Sequence, residues 1–299
     1  MQARRALLPD GRWHFQHGPI DLVIGADGDA GAMVAAHAAA WQRFETVLAE
    51  LVGELPALRS PVRETSAPCG PIARRMWQAC WPHRAVFITP MAAVAGAVAQ
   101  ELIGHYERAG IARAWVNNGG DIALHLARGA SVRVGLFADL ARLDDPARID
   151  LDGHFDVRAE MPVRGVATSG WRGRSFSLGI ADSVTVLARD AAAADAAATI
   201  IANAVDVTDP RICRAPANTL KDDSDLGEIA VTVDVPPLEA ALIQRALQAG
   251  QNRAQALQRE GLIHAAMIHC QGRWCRVDAA GGVGASALEH HPALGSVFA

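Results

Sequence analysis

The stretch that most constrains the fold is 162–205, because it joins two strand-like runs to a long helix of small residues. Residues 163–168 and 183–187 are rich in β-branched side chains, which favour strands, and Ser169-Gly170 ends the first run. Residues 190–205 are mostly alanine, the best helix former. The stretch therefore predicts two strands followed by a helix.

Two oxygen-bearing side chains lie in the middle of this helix. Asp195 and Thr199 are four residues apart, a spacing that places both on one helix face. A carboxylate and a hydroxyl one turn apart are suitable ligands for a hard cation such as Mg²⁺. The surrounding alanines would leave this face open to a bulky ligand. The alternative is a solvated aspartate and a threonine bonded to its own helix backbone.

A second informative stretch is 115–124, with the sequence WVNNGGDIAL. A short apolar strand ends there in Asn118, Gly119, Gly120 and Asp121. Paired glycines at a strand end allow a ligand to approach backbone N–H groups, and the aspartate can accept hydrogen bonds from it. Asn-Gly and Gly-Gly are also turn dipeptides, so a hairpin turn explains the same residues.

Taken in order, the motifs VNNGGDI, VATSG, SVTVLA and AADAAAT resemble those of the ApbE-like flavin transferases. That family carries a VNxGGDI strand and loop, an ATSG segment, an SVTV strand and an ADxxAT helix in the same order. Residues 92–100, AAVAGAVAQ, are similar to the family's AxAKG helix. The resemblance covers about 89–205, a little over a third of the chain.

The resemblance implies a site for FAD or a related nucleotide together with Mg²⁺. It implies that Asp195 and Thr199 hold the metal with a backbone carbonyl near Val94. It also implies that two loops cradle the nucleotide. Their residues are Asn118, Gly119, Gly120 and Asp121 in the first loop and Thr168, Ser169 and Gly170 in the second.

The chain departs from the family pattern in two places. The family's HxIxDPxTG segment, between ATSG and SVTV, is replaced by the shorter segment 175–182, which has no histidine. Asp182 is the only acid near the missing histidine, and it is the candidate catalytic base. The lysine of AxAKG is also absent, with Ala95 in its place. These changes predict a compact branch of the family in which transfer of FMN to a protein is weak.

Three functional hypotheses follow. The first is an enzyme that binds FAD or a related nucleotide with Mg²⁺ and splits its pyrophosphate. The second is a non-catalytic protein that binds a flavin or another small molecule in the same pocket. The third is an enzyme that uses the scaffold on another substrate, since a fold alone does not fix function.

The remaining sequence predicts an α+β fold with mostly antiparallel sheet and long packed helices. We expect a single ApbE-like domain over 1–299, with 85–205 as the most family-like core and 206–299 as an extension of the same fold. The expected strands and hairpins are 12–16 with 20–24, 85–88, 122–127 with 131–137, 229–235, and 262–270 with 273–277. The expected helices are 30–55, 72–81, 91–109 and 238–259. The tail from 279 is expected to be loose.

The composition excludes several classes of partner. The net charge is −4 and there is no basic block, so we expect no binding to nucleic acid or to an anionic membrane. No run of eighteen apolar residues is present, which argues against a membrane span. The expected partner is a small-molecule nucleotide or substrate, and a homo-oligomer remains open.

The five cysteines indicate a reducing compartment. Their number is odd, and no CxxC motif occurs. Disulfides and a zinc site are therefore not expected. The N-terminus has only a short apolar run before Pro9, unlike a signal peptide. We expect a cytoplasmic protein.

Overall fold

The computed structural model describes residues 2–64, 66–136, 153–278 and 296–298. Its centre is a nine-stranded sheet in which every pair of neighbours is antiparallel. In spatial order the strands are β1 (Arg4–Leu7), β2 (Trp13–His17), β3 (Ile20–Gly28), β4 (Ile111–Asn118), β5 (Asp121–Leu126), β8 (Gly165–Ser169), β9 (Ser183–Ala188), β12 (Ala265–Cys270) and β13 (Arg273–Val277). The predicted α+β class with mostly antiparallel sheet is confirmed.

Helices cover one face of this sheet and enclose the main core. The seven α-helices of the described residues are α1 (Ala30–Gly53), α2 (Leu55–Leu58), α3 (Pro71–Cys80), α4 (Val94–Ile103), α5 (Ala191–Ala204), α6 (Ala217–Leu220) and α7 (Ala240–Arg259). The alanine-rich α5 lies in the middle of this layer, packed against β8, β9, α4 and α7. Small side chains permit this close packing on several sides, and most residues of α5 are buried.

A second sheet packs on the other face and makes a smaller core. It consists of β6 (Ser131–Leu136) between β7 (Gly153–Arg158) and the short parallel strand β14 (Ser296–Phe298). The predicted hairpin between 122–127 and 131–137 is wrong. Although a short turn connects β5 to β6, β5 pairs with β4 and β8, whereas β6 joins this second sheet.

The C-terminal part of the chain continues the central sheet. β12 pairs with β9 over five residues, and β12 and β13 form the expected final hairpin. The predicted strand 229–235 is observed as β11 (Ala230–Asp234), which pairs only with β10 (Cys213–Pro216) in a small separate sheet. Helix α7 packs on β12 and β13, as its apolar spacing requires.

Two other predictions need correction. No strand forms over 85–88, where Val86 is exposed and the chain follows a short 3₁₀ turn at 81–83. The predicted helix 91–109 is shorter, because α4 is preceded by a 3₁₀ turn at 90–93 and followed by another at 104–106. The tail expected from 279 lies outside the described residues apart from β14.

Candidate functional site

The four motifs singled out in the sequence meet at one end of the central sheet. The β4–β5 turn, the end of β8 and the start of β9 are neighbours there, because β5, β8 and β9 are adjacent strands. Helices α4 and α5 pack against each other and against these strands. Residues that are far apart in the sequence therefore form one site.

The Gly119-Gly120 pair forms a two-residue hairpin turn between β4 and β5. Asn118 pairs with Asp121 across the turn, and both glycines have positive φ, at 66° and 109°. This geometry is that of the tight turns that require glycine. The N–H of Gly120 donates to Oδ1 of Asn117 at 2.8 Å, so the turn's own side chain already uses this donor. The hairpin interpretation is confirmed, and the turn still presents Asp121 to the site.

Asp121 is a buried carboxylate at the start of β5, with 8% of its surface exposed. Its Oδ1 accepts a hydrogen bond from the backbone N–H of Thr168 at 3.2 Å. The hydroxyl of Thr168 in turn shares a hydrogen bond of 3.0 Å with the hydroxyl of Thr185 on β9. Burial, and then the negative charge of Asp195, raise the pKa of Asp121 well above its usual value, although the Thr168 N–H and the Arg174 charge oppose the shift.

Asp195 lies on α5 where that helix contacts the first turn of α4. Its Oδ2 accepts a hydrogen bond from the backbone N–H of Gly96 at 2.9 Å. Burial raises the pKa of Asp195 to about 7, although backbone N–H groups of Gly96 and Ala95 lower it. The face that the sequence suggested to be open is thus partly closed by α4.

The other sequence-predicted residues are close to this contact. Thr199 is one turn after Asp195 on α5 and is half-buried. Val94 is the first residue of α4, two positions before Gly96. The side-chain amide of Asn118 donates to the carbonyl of Ala95 at 3.1 Å, which ties the β4–β5 turn to the same helix turn.

The end of β8 also contributes to the site. Ser169 is the last residue of β8 and is partly buried. Gly170 follows it and is required by packing, because a Cβ there would lie 2.4 Å from the carbonyl oxygen of Asp182. Thr168 contacts Asp121 through its backbone N–H. Gly170 packs against the backbone of Asp182, just before β9.

Asp182 is anchored to the final hairpin. Its Oδ2 accepts the backbone N–H of Gln271 at 2.5 Å, and its Oδ1 lies 3.5 Å from Nε of Arg172. Gln271 is the one non-glycine residue of the described chain with positive φ, at 45°. These contacts favour a role in holding the β12–β13 turn against the site.

Arg174 belongs to the site although the sequence analysis did not identify it. Its side chain is exposed and lies on the β4–β5 turn, and its charge acts on Asp121. The signal was the sequence Trp-Arg-Gly-Arg directly after the ATSG segment. This signal does not distinguish Arg174 from other exposed arginines, which are common.

A further acid comes from a distant loop. The hydroxyl of Thr89 donates to Oδ2 of Asp225 at 2.5 Å instead of capping the helix turn that follows. Burial, with the charges of Asp195 and Asp225, raises the pKa of the Cys80 thiol. Cys80 is therefore an inert buried thiol, and Asp225 is a further acid near the site. No local sequence pattern connects residues 136 positions apart.

In the described part of the chain, no group of three or more His, Cys, Asp or Glu side chains is placed to hold a metal ion. A cation at Asp195 would therefore need hydroxyl, carbonyl or ligand oxygens as well.

Among the residues that the structure describes, no helix has both the length and the apolar character that a membrane crossing requires. All five cysteines are free thiols.

A cleft of about 570 Å³ lies along α4 and β5, near Arg75, Arg164 and Arg189. Two of these arginines already have acidic partners, since Arg75 pairs with Glu101 at 2.8 Å and Arg189 with Asp190 at 3.1 Å. None of the sequence-predicted site residues lines this cleft. The candidate site is therefore defined by the converging side chains around Asp121 and Asp195.

Comparison with known proteins gives the family. The model of the family described as AbpE bacteria matches residues 5–276, most of the chain. The chain belongs to this family. Curated relatives include a UPF0280 protein of Methanopyrus kandleri, 38% identical over 219 residues that make up 71% of this chain and 83% of the relative. A UPF0280 protein of Methanospirillum hungatei is 33% identical over 66% of this chain and 77% of that protein.

Two solved structures are also similar to this AbpE family member. The apo form of the flavinyl transferase ApbE of Pseudomonas stutzeri aligns over 93% of this chain and 94% of that chain, with 14% identity and a TM-score of 0.42. The ApbE protein of Thermotoga maritima aligns over 65% of this chain and 52% of that chain, with 15% identity and a TM-score of 0.35.

Proposed function

We propose that this protein binds FAD or a related nucleotide together with Mg²⁺ and splits the pyrophosphate of the nucleotide. The observation that carries the proposal is the meeting of two neighbouring carboxylates, Asp121 and Asp195, with the β4–β5 turn and the end of β8. The resemblance of the sequence motifs to those of the flavin transferases supports a nucleotide over other ligands.

The residues fit a hard cation. Burial makes the ionised forms of both Asp121 and Asp195 unfavourable, and the charge of Asp195 adds to this for Asp121. A divalent cation would relieve both effects. Asp195, Thr199 and the carbonyl of Val94 are the ligands that we assign, with phosphate oxygens completing the shell. All of them are oxygens, as Mg²⁺ prefers. A bound Mg²⁺ would neutralise phosphate charge as the anhydride bond breaks.

We assign the nucleotide to the end of the sheet where the two loops meet. The first loop contributes Asn118, Gly119, Gly120 and Asp121, and the second contributes Thr168, Ser169 and Gly170. The Asn118 amide and the Thr168 N–H already donate hydrogen bonds within the protein, to Ala95 and Asp121. We therefore assign them the role of holding the two loops in position. Asp182 remains our candidate acid–base residue, held by Gln271 and Arg172.

The proposed reaction adds one water to the phosphoanhydride of FAD. The water oxygen forms a new bond to one phosphorus while the bridging P–O bond breaks, and both water protons pass to the products FMN and AMP. The test is to incubate the purified protein with FAD and Mg²⁺ and to separate the products by chromatography. Equal amounts of FMN and AMP, absent with EDTA, would support hydrolysis.

A second candidate is a binding protein that does not cleave its ligand. It is favoured by the contacts of Asp182, which are typical of a residue that holds a turn. In this case FAD would bind with Mg²⁺ and remain intact during the incubation. If FAD neither binds nor is cleaved, an enzyme acting on another substrate becomes the better hypothesis.

We also propose a cytoplasmic location. The supporting observation is that two of the five free thiols, Cys69 and Cys213, are exposed. Exposed thiols persist in a reducing compartment. A fractionation experiment that finds the protein with cytosolic markers would support the proposal.

A further inference from the structure

Arg174 lies directly on the backbone of the β4–β5 turn. A Cβ built on Gly119 would be 2.1 Å from Nη2 of Arg174 and 2.9 Å from its Cζ. A side chain at position 119 would displace the guanidinium, and the φ of 66° favours glycine there as well. The turn and the arginine therefore fit together as one unit.

Within the described part of the chain, the Arg174 guanidinium has the Asp121 carboxylate near it but no group hydrogen-bonded to it. Among the described residues, Arg174 makes no hydrogen bond and no ion pair, and its side chain is exposed. Its neighbour Arg172 differs, since it lies 3.5 Å from Asp182 and over the ring of Trp171 at 5.0 Å. The donors of the Arg174 guanidinium are therefore available to a ligand beside the β4–β5 turn.

The charge around Arg174 indicates the chemistry of that partner. Asp121 is the nearby acid on which its charge acts, but this carboxylate is buried and receives the Thr168 N–H instead. The oxygens of a phosphate match the spacing of the N–H donors of a guanidinium. A phosphate is also repelled by the carboxylates of Asp121 and Asp195, and a positive charge beside them would offset that repulsion.

We propose that Arg174 binds a phosphate group of the ligand through its guanidinium, above the Gly119-Gly120 turn, and so makes the site selective for phosphate anhydrides. The inference rests on the proposed function, because it places the anion beside the cation site at Asp195. Arg174 is a ligand-binding residue in this account and has no part in proton transfer.

Inorganic pyrophosphate with Mg²⁺ is the simplest probe. Calorimetric titration would compare the wild-type protein with Arg174→Gln, Arg174→Lys and the control Arg189→Gln, which changes an exposed arginine paired with Asp190. Loss of a charged hydrogen-bonded pair weakens binding by about 10- to 100-fold. We expect that loss for Arg174→Gln, a smaller loss for Arg174→Lys and none for the control.

Mn²⁺ binding without pyrophosphate, followed by electron paramagnetic resonance, separates this inference from the proposed function. Arg174→Gln should bind Mn²⁺ at least as well as the wild type, because a positive charge has been removed. Wild-type affinity of Arg174→Gln for pyrophosphate would overturn the assignment of Arg174 alone. A wild-type protein that binds Mn²⁺ but not pyrophosphate would overturn it and leave the metal site standing. Failure to bind either probe would overturn both.

Discussion

The backbone N–H of Gly96 donates a 2.9 Å hydrogen bond to the carboxylate of Asp195, and this contact joins the first turn of α4 to the middle of α5. The two helices also approach closely at Gly96, since a Cβ there would lie 2.3 Å from the carbonyl oxygen of Ala191. One residue therefore fixes both the helix packing and the direction of the proposed metal ligand.

Replacement of Gly96 should disturb stability and ligand binding together. In Gly96→Ala the new methyl group meets backbone of α5, which cannot rotate away, and overpacking of this kind costs about 1 to 3 kcal/mol. We expect a lower free energy of unfolding in urea and weaker metal binding. Gly104→Ala is the matched control, because a Cβ there meets nothing within 4 Å. Equal free energies of unfolding for the two variants would contradict the close approach of α4 to α5 at Gly96.

Removal of the charge of Asp121 should stabilise the protein in the absence of metal. Asp121→Asn keeps an oxygen for the Thr168 N–H and removes an ionised group that burial and Asp195 disfavour. We expect a higher melting temperature at pH 8 in EDTA, together with weaker Mg²⁺-dependent FAD binding. A variant that melts at a lower temperature and binds FAD normally would show that Asp121 serves the fold only.

His83 should make the protein sensitive to mild acid. It is 2% exposed, and burial, followed by the charge of Arg253, lowers its pKa from 6.5 to about 4. Because the folded-state pKa is the lower one, the unfolded chain takes up a proton first as the pH falls. Stability is therefore full above pH 6.5 and decreases towards pH 4, by at most about 3 kcal/mol.

The test is urea unfolding of the wild type and of His83→Gln between pH 4 and pH 7. Glutamine cannot take up a proton, so its stability should change less over this range. Parallel curves for the two proteins would rule out His83 as the source of the acid sensitivity.

Transfer of FMN to a protein should be weak even if FAD binds. The segment 175–182 has no histidine, and its one acid, Asp182, is held by Gln271. An absent general acid or base commonly costs 10²- to 10⁴-fold in rate. Co-expression with a threonine-containing flavinylation acceptor should therefore give little covalent flavin by in-gel fluorescence. Strong labelling that depends on Asp195 would show that the departures from the family motifs are harmless.

The sequence predicted those elements whose signals are local. The small residues of α5, the β-branched strands β8 and β9, and the hairpin of β12 and β13 were all anticipated by composition and spacing. The single-domain organisation stays a prediction, supported by the pairing of β9 with β12.

Contacts between distant segments could not be predicted in the same way. Strand β6 has the pattern of a hairpin partner for β5, yet it pairs in the second sheet, because an alternating pattern does not specify the neighbour. The hydrogen bond from Thr89 to Asp225 joins two loops without a shared motif. Arg174 resembles any exposed arginine until the turn beneath it is known.

The central claim is that Asp195 makes nucleotide binding depend on a divalent cation. Equilibrium dialysis of FAD, detected by its absorbance, measures this directly in Mg²⁺ and in EDTA for the wild type and for Asp195→Asn. The asparagine keeps an oxygen for the Gly96 N–H, so the contact between α4 and α5 is retained. We predict that Mg²⁺ tightens FAD binding to the wild-type protein at least tenfold and leaves binding to Asp195→Asn unchanged. Equal affinity of the wild type in Mg²⁺ and EDTA, or an undiminished Mg²⁺ effect in the variant, would contradict the account.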